Sequence, residues 1–332
     1  MNVLLTSVGR RVGLLRAFRQ ELAESSTGGQ VLATDASPLS AAFQDADRAF
    51  LVPPCTSPEY VPAILELVRR ERVGVLVPLI DTELEVVALH RDAFLREGCH
   101  AIVSDLDQVA VSRNKARSAQ RFRELGFDAP RLFSPGELEH AESLPYPLFL
   151  KPISGSRSIG AVRVRDPEEL GFHLARTDRP VVQSLEEGDE YTVDVFADLG
   201  GRVRCAVPRR RLETRAGEIS KGRTVKDRVV MDAASRLVEA LGGCRGCITL
   251  QCFRGPGTRV VFFEANLRFG GGYPLSYAAG ANYPAWILRL AAGEPVPDFD
   301  GWEDGLLMLR YDEAVFVHGG GRRERAGDRV LL

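Results

Sequence analysis

The segment from Phe262 to Gly272 holds side chains that suit a cation bound to phosphate. An apolar run ends in Glu264, and Asn266 and Arg268 follow at alternate positions before three glycines. Side chains at positions i and i+2 of a strand share a face. Glu264 and Asn266 can therefore offer oxygen ligands to Mg²⁺, which binds carboxylates together with phosphate oxygens, and Arg268 can reach a phosphoryl group there. The segment predicts a magnesium-nucleotide site.

A hairpin is predicted to bring a further oxygen ligand to this strand. The turn Gly255–Gly257 separates two apolar runs, which is typical of an antiparallel hairpin. Folding the chain at this turn places Gln251 opposite Phe262, with Glu264 as the diagonal neighbour on the same face. We therefore expect Gln251, Glu264 and Asn266 to converge.

A second phosphate-binding element is predicted to follow Lys151. The next loop holds two glycines and three serines, which give flexible backbone and many N–H donors. Such a loop can wrap phosphates while a lysine supplies charge, although it lacks the Gly-Lys-Ser/Thr ending of a P-loop. An ordinary hairpin loop is the alternative. The loop residues concerned are Ser154, Gly155, Ser156, Ser158 and Gly160.

The composition is that of a soluble globular protein of two or three domains. The 332 residues are 45% hydrophobic and 27% charged, with a net charge of −2, which gives no basic field for nucleic acid or a membrane surface. No apolar run approaches the ~20 residues of a membrane span. The first arginines follow the apolar start, the reverse of a signal peptide, so we expect a cytoplasmic protein.

The six cysteines are expected to be buried, reduced thiols. Cys244 and Cys247 form a CxxC pair, but no second pair and no His cluster accompany them. A structural zinc site needs four ligands, so the pair alone does not predict one.

The fold class is predicted to be α/β, with an α+β C-terminal part. Apolar runs such as Val31–Thr34 and Val73–Pro78 alternate with helical patterns such as Tyr60–Arg70. This alternation predicts a parallel, Rossmann-like sheet over roughly residues 1–110. Alternating strands from Glu190 onward predict mainly antiparallel sheet in the rest of the chain.

A weaker pattern near the start imitates a dinucleotide-binding turn. Gly9 and Gly13 precede Asp35 by about twenty residues, but the glycine spacing is not G-x-G-x-x-G. A Rossmann-like scaffold whose first turn needs glycine explains the same residues. NAD(P) binding is kept as an alternative.

The order of these segments resembles the ATP-grasp superfamily, and within it the carbamoyl-phosphate-synthase-like ligases. The resemblance runs from residue 2 to about 317. After the N-terminal sheet come Ser112–Lys115, Leu150–Pro152, the glycine- and serine-rich loop, Glu190–Asp194, Gln251 and Glu264–Arg268.

The resemblance implies a role for each of these motifs. Lys115 and Lys151 would bind the nucleotide phosphates, and the loop 154–160 would close over them as a lid. Glu190 would bind the ribose hydroxyls, and Arg268 would stabilise the transferred phosphoryl group. Backbone groups of the hinge residues Gln183, Ser184 and Leu185 would contact adenine. One or two Mg²⁺ ions, or Mn²⁺ in their place, would be held by Gln251, Glu264 and Asn266.

Three positions depart from the pattern of the family. Asn114 stands where Asp is common, Ser184 where an acidic residue is common, and Leu267 where Pro is usual. The functional side chains on either side of Leu267 remain. These departures put the adenine contacts at Ser184 in question and leave the predicted chemistry in place.

The resemblance also implies a domain plan. A Rossmann-like pre-ATP-grasp domain would span residues 1–111, and a two-lobed ATP-grasp domain would follow it. The small lobe with the lid would span 112–182 and the large lobe 183–317, with a flexible tail over 318–332.

The implied activity is ATP- and Mg²⁺-dependent joining of two small molecules. A carboxylate would be activated as an acyl phosphate and then attacked by an amine or similar nucleophile, without nucleic acid or membrane partners. A homodimer is compatible with this plan. The alternatives are a non-catalytic ATP-binding regulatory protein on the same fold and an NAD(P)-dependent oxidoreductase.

The acceptor site is predicted from charged residues near strand ends. Asp81 and Glu83 follow a parallel strand, where α/β folds bind ligands. Arg209, Arg210, Arg211 and Lys221 could hold a carboxylate or developing negative charge, and we expect Arg210 to act in catalysis with Lys151 and Arg268. A solvated surface is the alternative for the arginine run. Gly271 and Tyr273 are expected to form the pocket wall.

Overall fold

The fold begins with a parallel five-stranded sheet. A computed structural model describes residues 1–25, 28–153, 160–215 and 217–317. The sheet order is β3-β2-β1-β4-β5. Its strands are β1 (Asn2–Thr6), β2 (Val31–Asp35), β3 (Arg48–Leu51), β4 (Val73–Pro78) and β5 (His100–Ala101). All neighbouring pairs run parallel, which confirms the predicted Rossmann-like sheet.

Six helices accompany this sheet. They are α1 (Val12–Glu24), α2 (Ala41–Asp45), α3 (Tyr60–Arg70), α4 (Asp81–Leu89), α5 (Arg91–Arg96) and α6 (Leu106–Ser112). The central strands β1 and β4 are buried on both faces because helices cover them. This burial explains their uninterrupted apolar sequences.

A small antiparallel sheet follows α7 (Lys115–Glu124), in the order β7-β6-β8. It has its own apolar core, which includes Leu148, Leu150 and Val182. The strands are β6 (Leu148–Pro152), β7 (Val162–Val164) and β8 (Pro180–Ser184). The helices are α8 (Pro135–Leu138) and α9 (Pro167–Leu174), with a 3-10 turn at Ala141–Ser143.

A six-stranded sheet forms the C-terminal part, in the order β13-β12-β9-β10-β11-β14. All of its pairings are antiparallel. Its strands are β9 (Asp189–Ala197), β10 (Val203–Arg215), β11 (Glu218–Thr224), β12 (Gly246–Arg254), β13 (Val260–Asn266) and β14 (Leu307–Leu309). Its helices are α10 (Arg228–Leu241), α11 (Tyr273–Ala278) and α12 (Tyr283–Ala291).

The N-terminal sheet and the six-stranded sheet share one continuous core. The Tyr277 hydroxyl of α11 donates to Glu21 of α1 at 2.7 Å, and the rings of Phe18 and Phe269 meet edge to face. Contacts of this kind hold the two parts together. The lobe boundaries at residues 111 and 182 stay predictions, and the predicted tail from residue 318 lies outside the described residues.

Candidate active site

One cleft collects nine of the predicted site residues. It has a volume of about 360 Å³ and lies where the β4–α4 turn, the start of α7 and the strands β10, β12 and β13 meet. Its lining includes Asp81, Lys115, Gln251, Glu264, Asn266 and Arg268. Residues far apart in the chain therefore share one cavity.

The three predicted metal ligands lie side by side on β12 and β13. Gln251 pairs directly with Glu264 across the two strands, and the Asn266 side-chain amide donates to Glu264 Oε1 at 3.2 Å. A β-bulge after Gln251 changes the predicted register, so that Phe262 pairs with Cys252 instead. The pairing with Phe262 was wrong, and the expected diagonal contact is a direct one.

Arg268 connects the C-terminal sheet to the N-terminal domain. Its Nη2 donates to Asp81 Oδ2 at 2.7 Å and to Asn266 Oδ1 at 3.2 Å, and its Nη1 donates to the Phe269 carbonyl at 3.1 Å. Asp81 is the first residue of α4. The arginine predicted to contact a phosphoryl group is therefore oriented by a carboxylate from the helix that follows β4.

Two lysines lie close to Glu264. Burial, assisted by the charge of Lys115 and opposed by Glu264, lowers the pKa of Lys151 to about 8. Burial also lowers the pKa of Lys115, whose Nζ donates to the Pro152 carbonyl at 3.2 Å. Two poorly solvated ammonium groups favour an anionic ligand beside them.

Asn114 has a structural role that explains one departure from the family pattern. Its Oδ1 accepts from the amides of Ala116 at 3.1 Å and Arg117 at 3.0 Å. Asn caps a helix N-terminus as well as Asp does. The substitution therefore keeps α7, and Lys115 at its start, in place.

Glu190 is joined to a predicted metal ligand through Arg211. Arg211 Nη1 lies 3.0 Å from Glu190 Oε1 and donates to Gln251 Oε1 at 3.1 Å. Burial raises the pKa of Glu190, although Arg211 opposes this effect. The predicted ribose-binding carboxylate is thus part of one network with the metal-ligand strand.

The arginine run divides between cleft and surface because it lies inside β10. Arg209 and Arg211 line the cleft, whereas Arg210 is half-exposed and pairs with Asp189 at 2.5 Å. Successive side chains of a strand point to opposite faces. The structure therefore does not bring Arg210 to the cleft, where its predicted catalytic role would place it.

Arg209 is fully buried in a bidentate ion pair with Asp194. Its Nε and Nη2 donate at 2.8 and 2.9 Å, and the Ser276 hydroxyl also donates to Asp194, at 2.6 Å. Within the part of the chain that the structure describes, Arg209 Nη1 is buried without a hydrogen-bond partner. A Cβ atom on Gly272 would lie 2.2 Å from this nitrogen, so only glycine leaves room for it.

Glu83 is a structural residue rather than part of the cleft wall. Its fully buried carboxylate accepts from the hydroxyls of Ser7 at 2.7 Å and Tyr60 at 2.9 Å and from the amides of Leu79 and Ile80. Burial raises its pKa. These bonds fix the turn that presents Asp81. Of the two predicted residues, only Asp81 therefore remains a candidate for contact with the substrate.

Two other predicted substrate residues also lie outside the cleft lining. The buried Tyr273 hydroxyl donates to the Ala281 carbonyl at 2.9 Å and accepts from the Tyr283 amide at 2.8 Å. Lys221 is exposed on β11 and pairs with Glu213 at 2.6 Å. Gly271, in contrast, lines the cleft as predicted.

One residue of the predicted adenine hinge, Ser184, makes hydrogen bonds to a neighbouring segment of the protein. The Ser184 amide donates to the Arg131 carbonyl at 2.8 Å, and the Ser184 hydroxyl accepts from the Arg131 amide at 2.9 Å. Gln183 is buried in β8, which ends at Ser184. Leu185 is thus the hinge residue beyond the strand.

The predicted lid falls almost wholly outside the described residues. Ser154, Gly155, Ser156 and Ser158 belong to the undescribed range 154–159. Gly160 has a φ of +72°, and a Cβ atom there would lie 3.1 Å from Pro152. Glycine is therefore required where the chain returns toward β6.

Sequence reasoning missed several cleft residues, among them Arg11, Glu218 and Thr249. The available signal for Arg11 was its place just after β1, at the sheet edge where α/β folds bind ligands. The Thr249 hydroxyl donates to the Arg268 carbonyl at 3.0 Å, and the signal was its position two residues before Gln251. Glu218 belongs to β11, a strand that the sequence pattern did not reveal.

The residues of the dinucleotide-like pattern, Gly9, Gly13 and Asp35, make contacts within the protein. Asp35 Oδ2 accepts from the Gly9 amide at 2.9 Å and the Ser40 hydroxyl at 2.8 Å, and Oδ1 accepts from the Ser37 amide at 3.1 Å. A Cβ atom on Gly13 would lie 3.4 Å from Pro274. These contacts give Gly9 and Asp35 a structural role in the loop that joins β1 to α1.

The donor set fits a cation that is shared with phosphate. Gln251, Glu264 and Asn266 offer hard oxygen atoms, which Mg²⁺ prefers. Among the described residues, no group of three or more His, Cys, Asp or Glu could hold a metal ion. A single carboxylate with two amides leaves much of an Mg²⁺ coordination shell for other oxygens. The site thus fits a metal that arrives with a nucleotide.

No helix in the described part of the chain combines the length and apolar character of a membrane span. Five of the six cysteines are buried. Burial raises the pKa of both Cys244 and Cys247, so these thiols stay protonated near neutral pH.

Two parts of the chain match known protein families. Residues 3–102 match the family model of the PylC-like N-terminal domain, and residues 177–313 match that of ATP-grasp in the biosynthetic pathway with Ter operon. D-alanine–D-alanine ligase from Alcanivorax borkumensis is 32% identical over 109 residues. That alignment covers 32% of this chain and 33% of the ligase, so the chain matches about a third of that relative.

Solved structures share the fold across most of the chain. The biotin carboxylase domain of Hydrogenobacter thermophilus 2-oxoglutarate carboxylase, solved with MgADP and bicarbonate, has a TM-score of 0.70 and 17% identity. It covers 88% of this chain and 70% of its own. The L-amino acid ligase of Bacillus licheniformis has a TM-score of 0.67 and 19% identity, covering 87% and 73%.

The family models match two parts of the chain, and the solved structures share its fold. The segment that matches the ATP-grasp model, residues 177–313, holds the predicted metal ligands Gln251, Glu264 and Asn266 and also Arg268.

Proposed function

We propose that this protein is an ATP- and Mg²⁺-dependent ligase that activates a small carboxylic acid as an acyl phosphate and joins it to an amine. The observation that carries the proposal is the convergence of Glu264, Asn266, Lys115 and Arg268 around one cleft, with Lys151 buried close to Glu264. Positive groups beside hard oxygen ligands are what transfer of a phosphoryl group requires.

In this proposal the side chains around Glu264 bind the nucleotide. Lys115 and Lys151 neutralise phosphate oxygens, and their burial strengthens that attraction. Glu190 binds the ribose, while the backbone at Gln183 and Leu185 contacts the base. The metal is held by Gln251, Glu264 and Asn266, and when bound it would neutralise phosphate charge. Arg268, held by Asp81, contributes a fixed positive charge at the transferred group.

The placement of the arginines revises the acceptor site. Arg209 and Arg211 replace Arg210, because they face the cleft. Asp81 and Gly271 remain in it, and Lys221 does not. The acid and the amine are small molecules in this proposal. The finer likeness to carbamoyl-phosphate-synthase-like ligases, a homodimeric state and a cytoplasmic location stay predictions.

The test is ADP release from ATP–Mg²⁺ across a panel of acids combined with pooled amines. We expect release to require an acid and Glu264→Gln to lower it by about 10²–10³-fold, the usual loss when one preorganised group is removed. Glu213→Gln is the matched control, because Glu213 is an exposed carboxylate outside the cleft.

The outcomes separate the proposal from its alternatives. Full activity of Glu264→Gln would show that the metal assignment is wrong. Binding of ATP–Mg²⁺ without ADP release from any acid would favour the non-catalytic regulatory protein. Stabilisation by NAD⁺ but not by ATP–Mg²⁺ in a thermal-shift assay would favour the oxidoreductase.

A further inference from the structure

The three glycines after Phe269 line the cleft without side chains. We call Gly270, Gly271 and Gly272 the glycine strip. A Cβ atom on Gly270 would lie 3.0 Å from Thr249, one on Gly271 would lie 3.1 Å from Arg11 Nη1, and one on Gly272 would lie 2.2 Å from Arg209 Nη1. A side chain at Gly272 would displace the Arg209 guanidinium, and one at Gly271 would crowd that of Arg11. The glycines therefore allow both arginines to approach the cleft closely.

Arg209 presents a buried donor that the described residues leave without a partner. Its Nε and Nη2 are bound to Asp194, but Nη1 has no hydrogen bond there. Buried donors almost always make a hydrogen bond, and a buried donor without an acceptor is energetically unfavourable. Since Arg209 lines the cleft, an acceptor atom of a bound ligand can satisfy this nitrogen.

Arg11 reaches the same wall from the N-terminal domain. It lies in the turn after β1 and lines the cleft beside Gly271. Burial, with the nearby charge of Arg268, lowers its pKa to about 10, although Glu218 and Asp81 oppose this effect. It stays charged at neutral pH in a poorly hydrated place, which favours an anion next to it.

The carboxylates around Arg11 are shared with other arginines. Glu218 lies 3.3 Å from both Arg10 and Arg310, and Asp81 lies 2.7 Å from Arg268. The acidic groups on this side of the cleft are thus already matched by positive charge. Guanidinium groups bind carboxylates through a planar fork of donors, so a ligand carboxylate suits the remaining positive charge.

We propose that Arg11 and Arg209, which lie beside the neighbouring glycines Gly271 and Gly272, bind a second carboxylate of the acid substrate, one that is not activated. The substrate class is then a dicarboxylic acid or an amino acid with an acidic side chain. This proposal rests on the proposed ligase function and adds the substrate class. Arg11 is assigned as a specificity-determining residue contributed by the N-terminal domain.

The test uses pairs of acids that differ only in the second carboxylate: succinate with butyrate, glutarate with valerate, and L-glutamate with L-norvaline. Binding is followed by thermal shift in the presence of ADP–Mg²⁺, and turnover by ADP release with pooled amines. We expect the wild-type protein to prefer the diacid in at least one pair by tenfold or more. Arg11→Met should lower kcat/KM for that diacid by about a hundredfold, as when one partner of a buried charged contact is removed.

Controls separate charge recognition from folding. Arg11→Met should leave the monoacid and ADP–Mg²⁺ binding within about twofold, and Arg11→Lys should recover part of the diacid preference because it restores charge without the planar fork. Arg10→Met is the matched control, since Arg10 is exposed and its ion pair with Glu218 contributes little. It should keep the wild-type preference.

Three results would overturn the subsite: no diacid preference in the wild type, equal losses for both acids of a pair in Arg11→Met, or the same loss in Arg10→Met. Failure of the ligase proposal looks different. In that case no acid triggers ADP release, while diacid binding that depends on Arg11 is still detected by thermal shift. ADP release without diacid preference would instead reject the subsite and keep the ligase.

Discussion

Arg268 and Asp81 are joined by a 2.7 Å hydrogen bond across the boundary between the C-terminal sheet and the N-terminal domain. The arginine is nearly buried, with its side chain 11% exposed. It also donates to Asn266, a predicted metal ligand. A carboxylate that follows the N-terminal strand β4 therefore sets the position of a positive charge beside the predicted metal ligands.

Removing this carboxylate should slow turnover without weakening nucleotide binding. Asp81→Ala leaves Arg268 free to move, and small misplacements of a catalytic group can cost about 10²-fold in rate. We expect kcat for ADP release to fall by about 10- to 100-fold while the KM for ATP changes little. Asp92→Ala, an exposed residue of the same domain, should have no effect. A raised KM with unchanged kcat would show that Asp81 acts through binding instead.

The lowered pKa of Lys151 predicts a pH-dependent affinity for ADP–Mg²⁺. In the free protein Lys151 has a pKa of about 8, and a bound phosphate raises that pKa because it favours the charged form. Below pH 8 the lysine is already protonated, so affinity is constant; above pH 8 binding must take up a proton. The Kd should rise by about tenfold from pH 7 to pH 9.

Titration calorimetry at several pH values checks this dependence. Lys151→Met should bind more weakly at pH 7 and lose most of the dependence. Lys221→Met should behave like the wild type, because Lys221 pairs with Glu213 outside the cleft. A wild-type pH profile that persists in Lys151→Met would assign the titration to another group.

Much of the fold follows from the sequence because its strongest signals are periodic. Apolar runs buried on both faces predicted β1 and β4, and the 3.6-residue pattern predicted α3 with its bounds. β3 and β14 were missed because they are short and β11 because it is polar, and β8 was missed as well. Their pairing is decided by neighbouring strands rather than by local preference.

Site residues could be predicted where the alternation of side chains along one strand was enough to bring them together. They could not be predicted where the packing of separate elements determines which side chains face the cleft. Glu264, Asn266 and Arg268 share a face of one strand region, so their convergence could be inferred. Arg209 and Arg210 could not be distinguished without knowing that β10 continues through them. The bulge after Gln251 likewise has no local signal.

The buried pair of Arg209 and Asp194 should be far more important for stability than the adjacent surface pair. Asp194→Ala leaves the buried Arg209 guanidinium without its ion-pair partner, which typically lowers the free energy of unfolding by about 3–5 kcal/mol. The pair of Arg210 and Asp189 is half-exposed, so Asp189→Ala should change the free energy of unfolding by about 0–1 kcal/mol. Denaturant unfolding of the two variants measures the difference; equal losses would contradict the burial of Arg209.

Metal binding should depend on the nucleotide. Glu264 is the single carboxylate among the three predicted ligands, which leaves most of the coordination to phosphate oxygens and water. We expect Mn²⁺, used as a paramagnetic substitute, to bind weakly to the free protein and much more tightly with ADP, by about tenfold or more. Glu264→Gln should remove that gain. Tight Mn²⁺ binding without nucleotide would indicate a different site.

A single methyl group on the glycine strip should disturb the cleft from its wall. Gly272→Ala places a Cβ atom 2.2 Å from Arg209 Nη1 and 2.8 Å from Ile219, so the buried ion pair must shift or the strip must move. Overpacking of this kind typically costs about 1–3 kcal/mol, and ADP release should fall with it. Gly171→Ala is the matched control, because it lies in α9 with open space around it and should stabilise the protein by about 0.5–1 kcal/mol. Thermal unfolding measures the stability of both variants. A Gly272→Ala protein that is as stable and active as the wild type would show that Arg209 does not need glycine beside it.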